Sequence, residues 1–240
     1  MLRTAIDSLL SVIYPQECRI CRNSVENFED GVVCNICWDD TKFFSTVDTL
    51  CAKCGAFLSD RPSNIATSCK QCTDHAYDSA SAVGIYRGPI AASVIHLKRR
   101  PEISKRLSNA FASASARLDV SDRTLIIPVP LSKLRTRERG FNQALVLAEI
   151  ASKTLDCHID SASLSRITHT AMHRAAMDRK ARDKTVKNAF KVERPKLIVG
   201  RDIILVDDVL TSGATASHCA AVLKKSGAAS VRVLTLARAV

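Results

Sequence analysis

An α/β chain, with a doubly wound parallel sheet behind a small metal-binding region, is what this sequence predicts, and three observations carry that reading. Eight of the ten cysteines fall between residues 18 and 72, in pairs. Beyond residue 78, short apolar runs alternate with helix-like segments, the pattern of strands covered on both faces. One of those runs, Ile203–Val206, leads directly into Asp207, Asp208 and a bend of small residues. The expected division is a ribbon region over 1–78 and an α/β domain over 79–240.

The cysteine pairs are Cys18/Cys21, Cys34/Cys37, Cys51/Cys54 and Cys69/Cys72, separated by 12, 13 and 14 residues. Cys-x-x-Cys puts two thiolates on one tight turn, and two such turns supply the four sulfurs that zinc prefers. Two structural zinc sites are therefore expected. Serial pairing gives Cys18, Cys21, Cys34 and Cys37 one ion, and Cys51, Cys54, Cys69 and Cys72 the other. Short gaps favour it because closing short loops costs less entropy. Pairing the first turn with the third and the second with the fourth is the alternative. Metal binding is expected to supply much of this region's folding free energy. Trp38, Phe43 and Phe44 are read as a small core beside the metal. Cys157 is read as a surface residue and Cys219 as a core filler.

In the second region, strands are expected at 81–87, Leu125–Val129, Ile159–Leu164, Ile203–Val206 and Val231–Leu236. Helices are expected at Ile90–Lys98, from Pro101 to Leu118, and from Asn142, a candidate N-cap, to Thr154. The stretch that matters most is 203–215. Two carboxylates at the end of a buried strand offer acceptors to sugar hydroxyls. The following bend, Thr211, Ser212, Gly213, Ala214 and Thr215, opens a helix whose free N–H groups suit a phosphate. Gly213 allows the tight turn and the close approach of backbone to ligand. The plain alternative is a strand–turn–helix N-capped by Ser212 or Thr211.

A basic loop follows Pro130. Lys133, Arg135, Arg137 and Arg139 offer donors for a second anionic group, or are simply a solvated basic face. A further basic stretch, Arg166 to Lys191, reads as a closing lid or a nucleic-acid arm. His169 and His173 lack a carboxylate partner nearby and are not read as metal ligands.

Residues 1–78 carry 7 Lys/Arg and 11 Asp/Glu, a balance of −4, whereas residues 79–240 carry 28 and 13, a balance of +15. The positive charge thus belongs to the second region, which suits phosphates or nucleic acid. No run approaches the roughly 18 apolar residues that cross a bilayer. The first fourteen residues read as an amphipathic helix, with Ile6, Leu9, Leu10 and Ile13 on one face, and not as a signal peptide. A cytoplasmic location is expected.

Residues 203–215 resemble the 13-residue signature of type I phosphoribosyltransferases. That resemblance implies that Asp207 and Asp208 hold the ribose 2′- and 3′-hydroxyls of phosphoribosyl pyrophosphate (PRPP), that Thr211–Thr215 wraps its 5′-phosphate, and that the Lys133–Arg139 segment meets its pyrophosphate. Mg²⁺ is expected with PRPP. Together with the cysteine array and the segment Arg139-Gly140-Phe141-Asn142-Gln143, the chain resembles the ComF family, with its GntX and competence branches, from about Cys18 onward. Val186–Phe190 also resembles the family's flexible-loop segment. Two departures stand out: Arg174 where members often carry Gln, and Arg182-Asp183-Lys184-Thr185 where they often carry Arg-x-x-Asn. Thr211 also replaces the loop Asp that oxopurine salvage enzymes use at the base, so no base-activating carboxylate is implied.

The resemblance implies a PRPP-binding protein linked to DNA uptake, with single-stranded DNA and competence-machinery proteins as partners. An active phosphoribosyltransferase of nucleotide or cofactor metabolism and a non-catalytic scaffold are the alternatives. The acidic ribbon region is suited to protein contact more than to nucleic-acid phosphates.

Overall fold

The computed structural model describes residues 16–59, 67–69, 72, 74–167 and 189–239. The N-terminal amphipathic segment, His169, His173, Arg174, Arg182 and most of the 166–191 stretch lie outside them. Short elements come first: a 3₁₀ turn (Phe28–Asp30), α1 (Asn35–Asp39) and an antiparallel pair, β1 (Thr49–Leu50) with β2 (Phe57–Ser59). Then follow β3 (Ser79–Ile85), α2 (Gly88–Leu97), α3 (Lys105–Ser115), β4 (Thr124–Pro128), α4 (Lys133–Arg139), α5 (Gln143–Leu155) and β5 (His158–Ile159). The chain continues through β6 (Leu164–Arg166), β7 (Phe190–Val192), β8 (Asp202–Leu210), α6 (Ala214–Lys225) and β9 (Ser230–Arg238).

Five strands form one parallel sheet in the order β3-β9-β8-β4-β5. From β4 the chain moves outward to β5, and from β8 it moves the other way to β9. The carboxyl ends of β4 and β8 therefore flank the point where strand order reverses, the place where open α/β sheets form a ligand crevice. Register is tight there: Pro128 pairs with Val206, and the Val129 N–H donates to the Val206 carbonyl at 2.8 Å.

The sheet is covered on both faces, as apolar β8 and β4 require. One face packs Ile126, Ile204 and Val206 against α2, α3 and α5 through Val94, Leu107, Phe111 and Leu147. The other packs Ile127, Ile203 and Leu205 against α6 and the antiparallel pair β6–β7, through Cys219, Leu223, Leu164 and Phe190. Cys219 is a fully buried core filler, and Cys157 is half-buried just before β5.

Several elements differ from the hydropathy reading. The helix expected from Pro101 starts at Lys105, because the Ser104 side chain accepts the Leu107 N–H at 3.2 Å and caps it there. The strand expected at Ile159–Leu164 is two pieces: β5 joins the main sheet, while β6 leaves to pair with β7. The segment after Pro130 is helical. Ser132 caps α4 by accepting the Arg135 N–H, and left-handed Gly140, at φ +75°, ends it.

Trp38 and Phe43 do not form a separate core. They stack with ring centroids 6.1 Å apart and join the large cluster beneath α2 and α3. Phe43 also bridges to Gly84 on the edge strand β3, and the Phe44 N–H donates to the Val83 carbonyl at 2.8 Å. A side chain at Gly84 would stand 2.6 Å from Ile90 Cδ1 and 3.1 Å from the Lys42 carbonyl, so the close approach favours glycine.

Candidate functional site

The cysteines close in series. Cys18, Cys21, Cys34 and Cys37 bring their sulfurs within 4.8 Å of one another, and so do Cys51, Cys54, Cys69 and Cys72. Sulfur separations run from 3.4 Å for Cys69–Cys72, through 3.5 Å for Cys21–Cys34, Cys51–Cys72 and Cys54–Cys69, to 3.9 Å for Cys18–Cys37. Four sulfurs about 2.3 Å from a zinc ion lie about 3.8 Å apart. The donor sets thus fit two structural zinc sites, and the interleaved pairing is excluded. Burial pushes the Cys18 thiol up, but N–H donors of Cys21, Cys34 and Ile20 outweigh it and hold it at about 6. Burial likewise raises Cys51, and the N–H groups of Cys69, Cys54 and Lys53 bring it down to about 6. Each centre thus has one sulfur poised as a thiolate, the form that binds metal.

At the sheet crevice the acidic pair sits inside β8, not beyond it. The apolar run ends at Val206, yet the ladder with β9 continues, pairing Asp207 with Thr235 and Leu210 with Arg238. Neighbouring strand residues face opposite sides. Asp208, buried, meets Lys98 from the end of α2, with Nζ 2.9 Å from its Oδ2. Asp207 accepts the Asp208 N–H at 2.9 Å and lies within electrostatic reach of Arg166 and Cys219 on the other face. Burial first, and then the Asp208 carboxylate, push the Asp207 carboxyl up to about 8. Two carboxyls forced this close, one of them reluctant to ionise, suit a ligand that brings donors.

Thr211 and Ser212 bend the chain into Gly213, whose φ of +79° makes it the N-cap of α6 in place of either hydroxyl residue. Ala214 and Thr215 then begin a helix of 12 residues. The Gly213 backbone is pressed from the ribbon side. A methyl group there would stand 2.6 Å from His75 Cε1 and 2.9 Å from the Tyr77 hydroxyl. His75 and Tyr77 are themselves joined by a 2.6 Å hydrogen bond. The Ala76 N–H donates to Ser217 Oγ of α6 at 3.0 Å.

Across the crevice, α4 presents the basic residues unevenly. Lys133 and Arg137 are exposed, while Arg135 and Arg139 are half-buried. Arg139 Nη1 and Gln143 Oε1 are buried without a hydrogen-bond partner among the described residues. Asn142 caps α5 as expected, accepting the Ala144 N–H at 3.1 Å and donating to the Val129 carbonyl at 3.1 Å, which ties the loop after β4 to the sheet. Arg166, over the Phe190 ring at 5.3 Å, is lowered first by burial and next by Arg135. Arg135, Arg166 and Asp207 therefore share one electrostatic neighbourhood, and Lys133 and Arg137 stay on the solvent side.

Lys98, His75, Tyr77 and Arg238 belong to this neighbourhood and were not assigned to it from the sequence. Lys98 opens the basic run Lys98-Arg99-Arg100. The other three carry no local signal, since the segments they meet at the site, Leu210–Thr211 and Gly213, lie far away in the chain. A cleft of about 510 Å³ opens elsewhere, between the first ribbon and the turn joining α2 to α3, with Arg19, His96, Arg99 and Arg100 in its wall. The crevice between β4 and β8 is the stronger candidate, because opposed charges and a helix start converge there. No described helix is long and apolar enough to cross a membrane.

Residues 9–73 match the double zinc ribbon domain. Over 234 residues the chain is 33% identical to DNA utilization protein YhgH of Shigella flexneri, covering 93% of this chain and 97% of that protein. Competence protein F of Haemophilus influenzae is 29% identical over 229 residues, covering 92% and 96%. Among solved structures, the glutamine PRPP amidotransferase of B. subtilis complexed with ADP and GMP is similar at a TM-score of 0.40 and 14% identity. That match covers 59% of this chain and 30% of that one, too loose a likeness to argue from. The full-length identity, with two Cys₄ centres ahead of a doubly wound parallel sheet, settles the relationship: this chain belongs to the ComF family.

Proposed function

We propose that the crevice between β4 and β8 binds PRPP, and that the protein serves the handling of incoming DNA, as the names of its relatives suggest. One observation carries the first part. The C-terminal part of β8 bears the two acids and leads into a phosphate-suited helix start, and the segment bearing Arg135 and Arg139 follows β4, the other strand that flanks the strand-order reversal. In this reading residues 1–78 are a ribbon module and residues 79–240 a PRPP-binding module. Asp207 and Asp208 accept from the ribose hydroxyls. Backbone N–H groups of Thr211–Thr215 hold the 5′-phosphate. Arg135 and Arg139, with Lys133 and Arg137 at the rim, meet the pyrophosphate. Mg²⁺ would accompany PRPP and neutralise part of its charge.

Transfer chemistry at this site would have a nucleophile attack C1 of the ribose while the C1–O bond to pyrophosphate breaks. The flanking carboxylates and guanidiniums would stabilise the separating charges. Calorimetry with PRPP and Mg²⁺ on the wild type and on Asp207→Ala/Asp208→Ala tests the site. Saturable binding is expected for the wild type and loss of at least about a hundredfold for the double variant, since two charge-assisted contacts go. Equal affinities would remove the site.

For DNA, the favouring observation is the cleft lined by Arg19, Arg99 and Arg100. Phosphate-driven binding of a single strand weakens steeply with salt, and replacing three arginines lowers the slope by about two. An Arg19→Ala/Arg99→Ala/Arg100→Ala variant with unchanged affinity and slope for a single-stranded oligonucleotide would move the DNA elsewhere.

A further inference from the structure

Arg238, near the end of β9, is buried although it is an arginine. Its guanidinium joins two parts of the molecule. Nε donates to the Cys54 carbonyl at 3.1 Å, and Nη2 lies 3.7 Å from Cys54 Sγ. Nη1 donates to the carbonyls of Leu210 and Thr211, and to that of Ala239. One edge of the planar fork thus grips a ligand of the second Cys₄ centre, and another grips the end of β8 and the first residue of the phosphate loop. The geometry follows from the sheet, because parallel pairing sets Arg238 directly beside Leu210.

Two more contacts run along the same seam. Gly55, next to Cys54, lies so close to β3 that a side chain there would stand 2.6 Å from the Ala80 carbonyl. His75 and Tyr77, just past Cys72, abut Gly213 from behind. The first Cys₄ centre has no such link among the described residues. It packs into the core beneath α2 and α3.

A guanidinium fork can hold a carbonyl or a thiolate only while those groups stay in place. Metal fixes the four sulfurs and so fixes the Cys54 backbone, and outer contacts to metal ligands are coupled to occupancy of the site. We propose that Arg238 is a positioning residue that makes the order of the phosphate loop depend on metal in the second Cys₄ centre and not in the first. The proposal rests on the PRPP reading only for the identity of the loop's ligand. The mechanical link does not require it.

The test uses the full-length zinc-loaded protein, with amide hydrogen exchange of peptides spanning 208–217 as the readout and zinc content measured alongside. Arg238→Met is expected to retain two zinc ions and to raise exchange at 210–215 about tenfold, equivalent to about 1.4 kcal/mol of local opening free energy, while β4 stays protected. Arg238→Lys, which keeps the charge but not the fork, is expected to fall between. Cys51→Ser, at the second centre, is expected to loosen 210–215, and Cys21→Ser, at the first, to leave it unchanged.

Unchanged exchange in Arg238→Met, or equal loosening by the two cysteine variants, overturns the proposal. If Arg238→Met fails to fold, Arg238→Lys and the cysteine pair decide. A PRPP titration of the same samples separates the two ideas. Expected exchange changes with a wild type that does not bind PRPP leave the link standing and remove the ligand. PRPP binding that is indifferent to the second centre, with unchanged exchange, does the reverse.

Discussion

The two cysteine centres share one motif and differ in what surrounds them. The first is built into the main core: Cys18, Cys34, Val33 and Trp38 pack in one cluster with Leu107 and Phe111 of α3. Charge reinforces that contact. Arg106 meets Asp30 at 3.3 Å and Asp39 at 2.6 Å, and Lys105 meets Glu29 at 2.7 Å. Among the described residues the second centre has a small cluster of its own, Cys51, Cys54, Ala56 and Cys72, and it reaches the body through polar contacts at the phosphate loop and α6 and through the close approach of Gly55 to β3. Zinc ligation alone therefore does not say what a ribbon is for; its neighbours do. The contrast also corrects the reading of charge. Part of the acidity of residues 1–78 answers the basic body inside the same molecule, so the +15 of the second region is not all offered to outside ligands.

If the first ribbon is core, its indole should be among the costliest side chains to remove. Trp38 is 1% exposed and its Nε1 donates to the Asp30 carbonyl at 2.9 Å. Trp38→Ala is expected to cost about 3–5 kcal/mol in urea unfolding. A loss below about 1 kcal/mol would dissolve the distinction between the ribbons.

Next in size is the acid pair. Because the folded carboxyl of Asp207 is raised to about 8, the fold without ligand favours its protonated form. The stability this confers is fully present below the ordinary aspartate range and is lost as pH rises through about 8. Asp207→Asn is therefore expected to be more stable than the wild type at pH 8.5, by about 1–3 kcal/mol, with the gap closing by pH 4. The same variant should lose PRPP binding, whereas wild-type affinity should rise from pH 6.5 to 8.5 as the acceptor ionises. A pH-independent gap would mean the carboxyl is not strained.

The smallest effect concerns the ion pairs at the first ribbon. Asp39 is well exposed, so Asp39→Asn is expected to cost only about 0.2–1 kcal/mol, and less in high salt. A salt-insensitive loss above about 2 kcal/mol would make charge, not packing, the first ribbon's main anchor.

Much of this was legible in the sequence. Cysteine spacing favours serial centres because short loops close cheaply, and the sulfur geometry decides for them. The strand–acid–glycine order marks the turn from β8 into α6, and Asn142 is readable as a cap because its side chain acts within two residues. The strand containing Asp207 was read too short, because hydropathy ends at Val206 while the ladder is held by β9, whose register no local pattern reports. The helix at Lys133–Arg139 reads as a loop in the sequence because none of its residues is buried and no apolar period marks it, although Ser132 and Gly140 bracket it as caps. Arg238 is 184 residues from Cys54, and nothing near either one predicts their meeting.

The bridge from Phe43 to Gly84 has a consequence for quality control in the cell. Strand β3 is an outer strand, and the ribbon's backbone occupies hydrogen-bonding positions that another chain would otherwise seek. Under zinc starvation that cover would come away, and the bared β3 would invite intermolecular strand addition. Scarcity of one trace element would thus show itself as clumping of the protein.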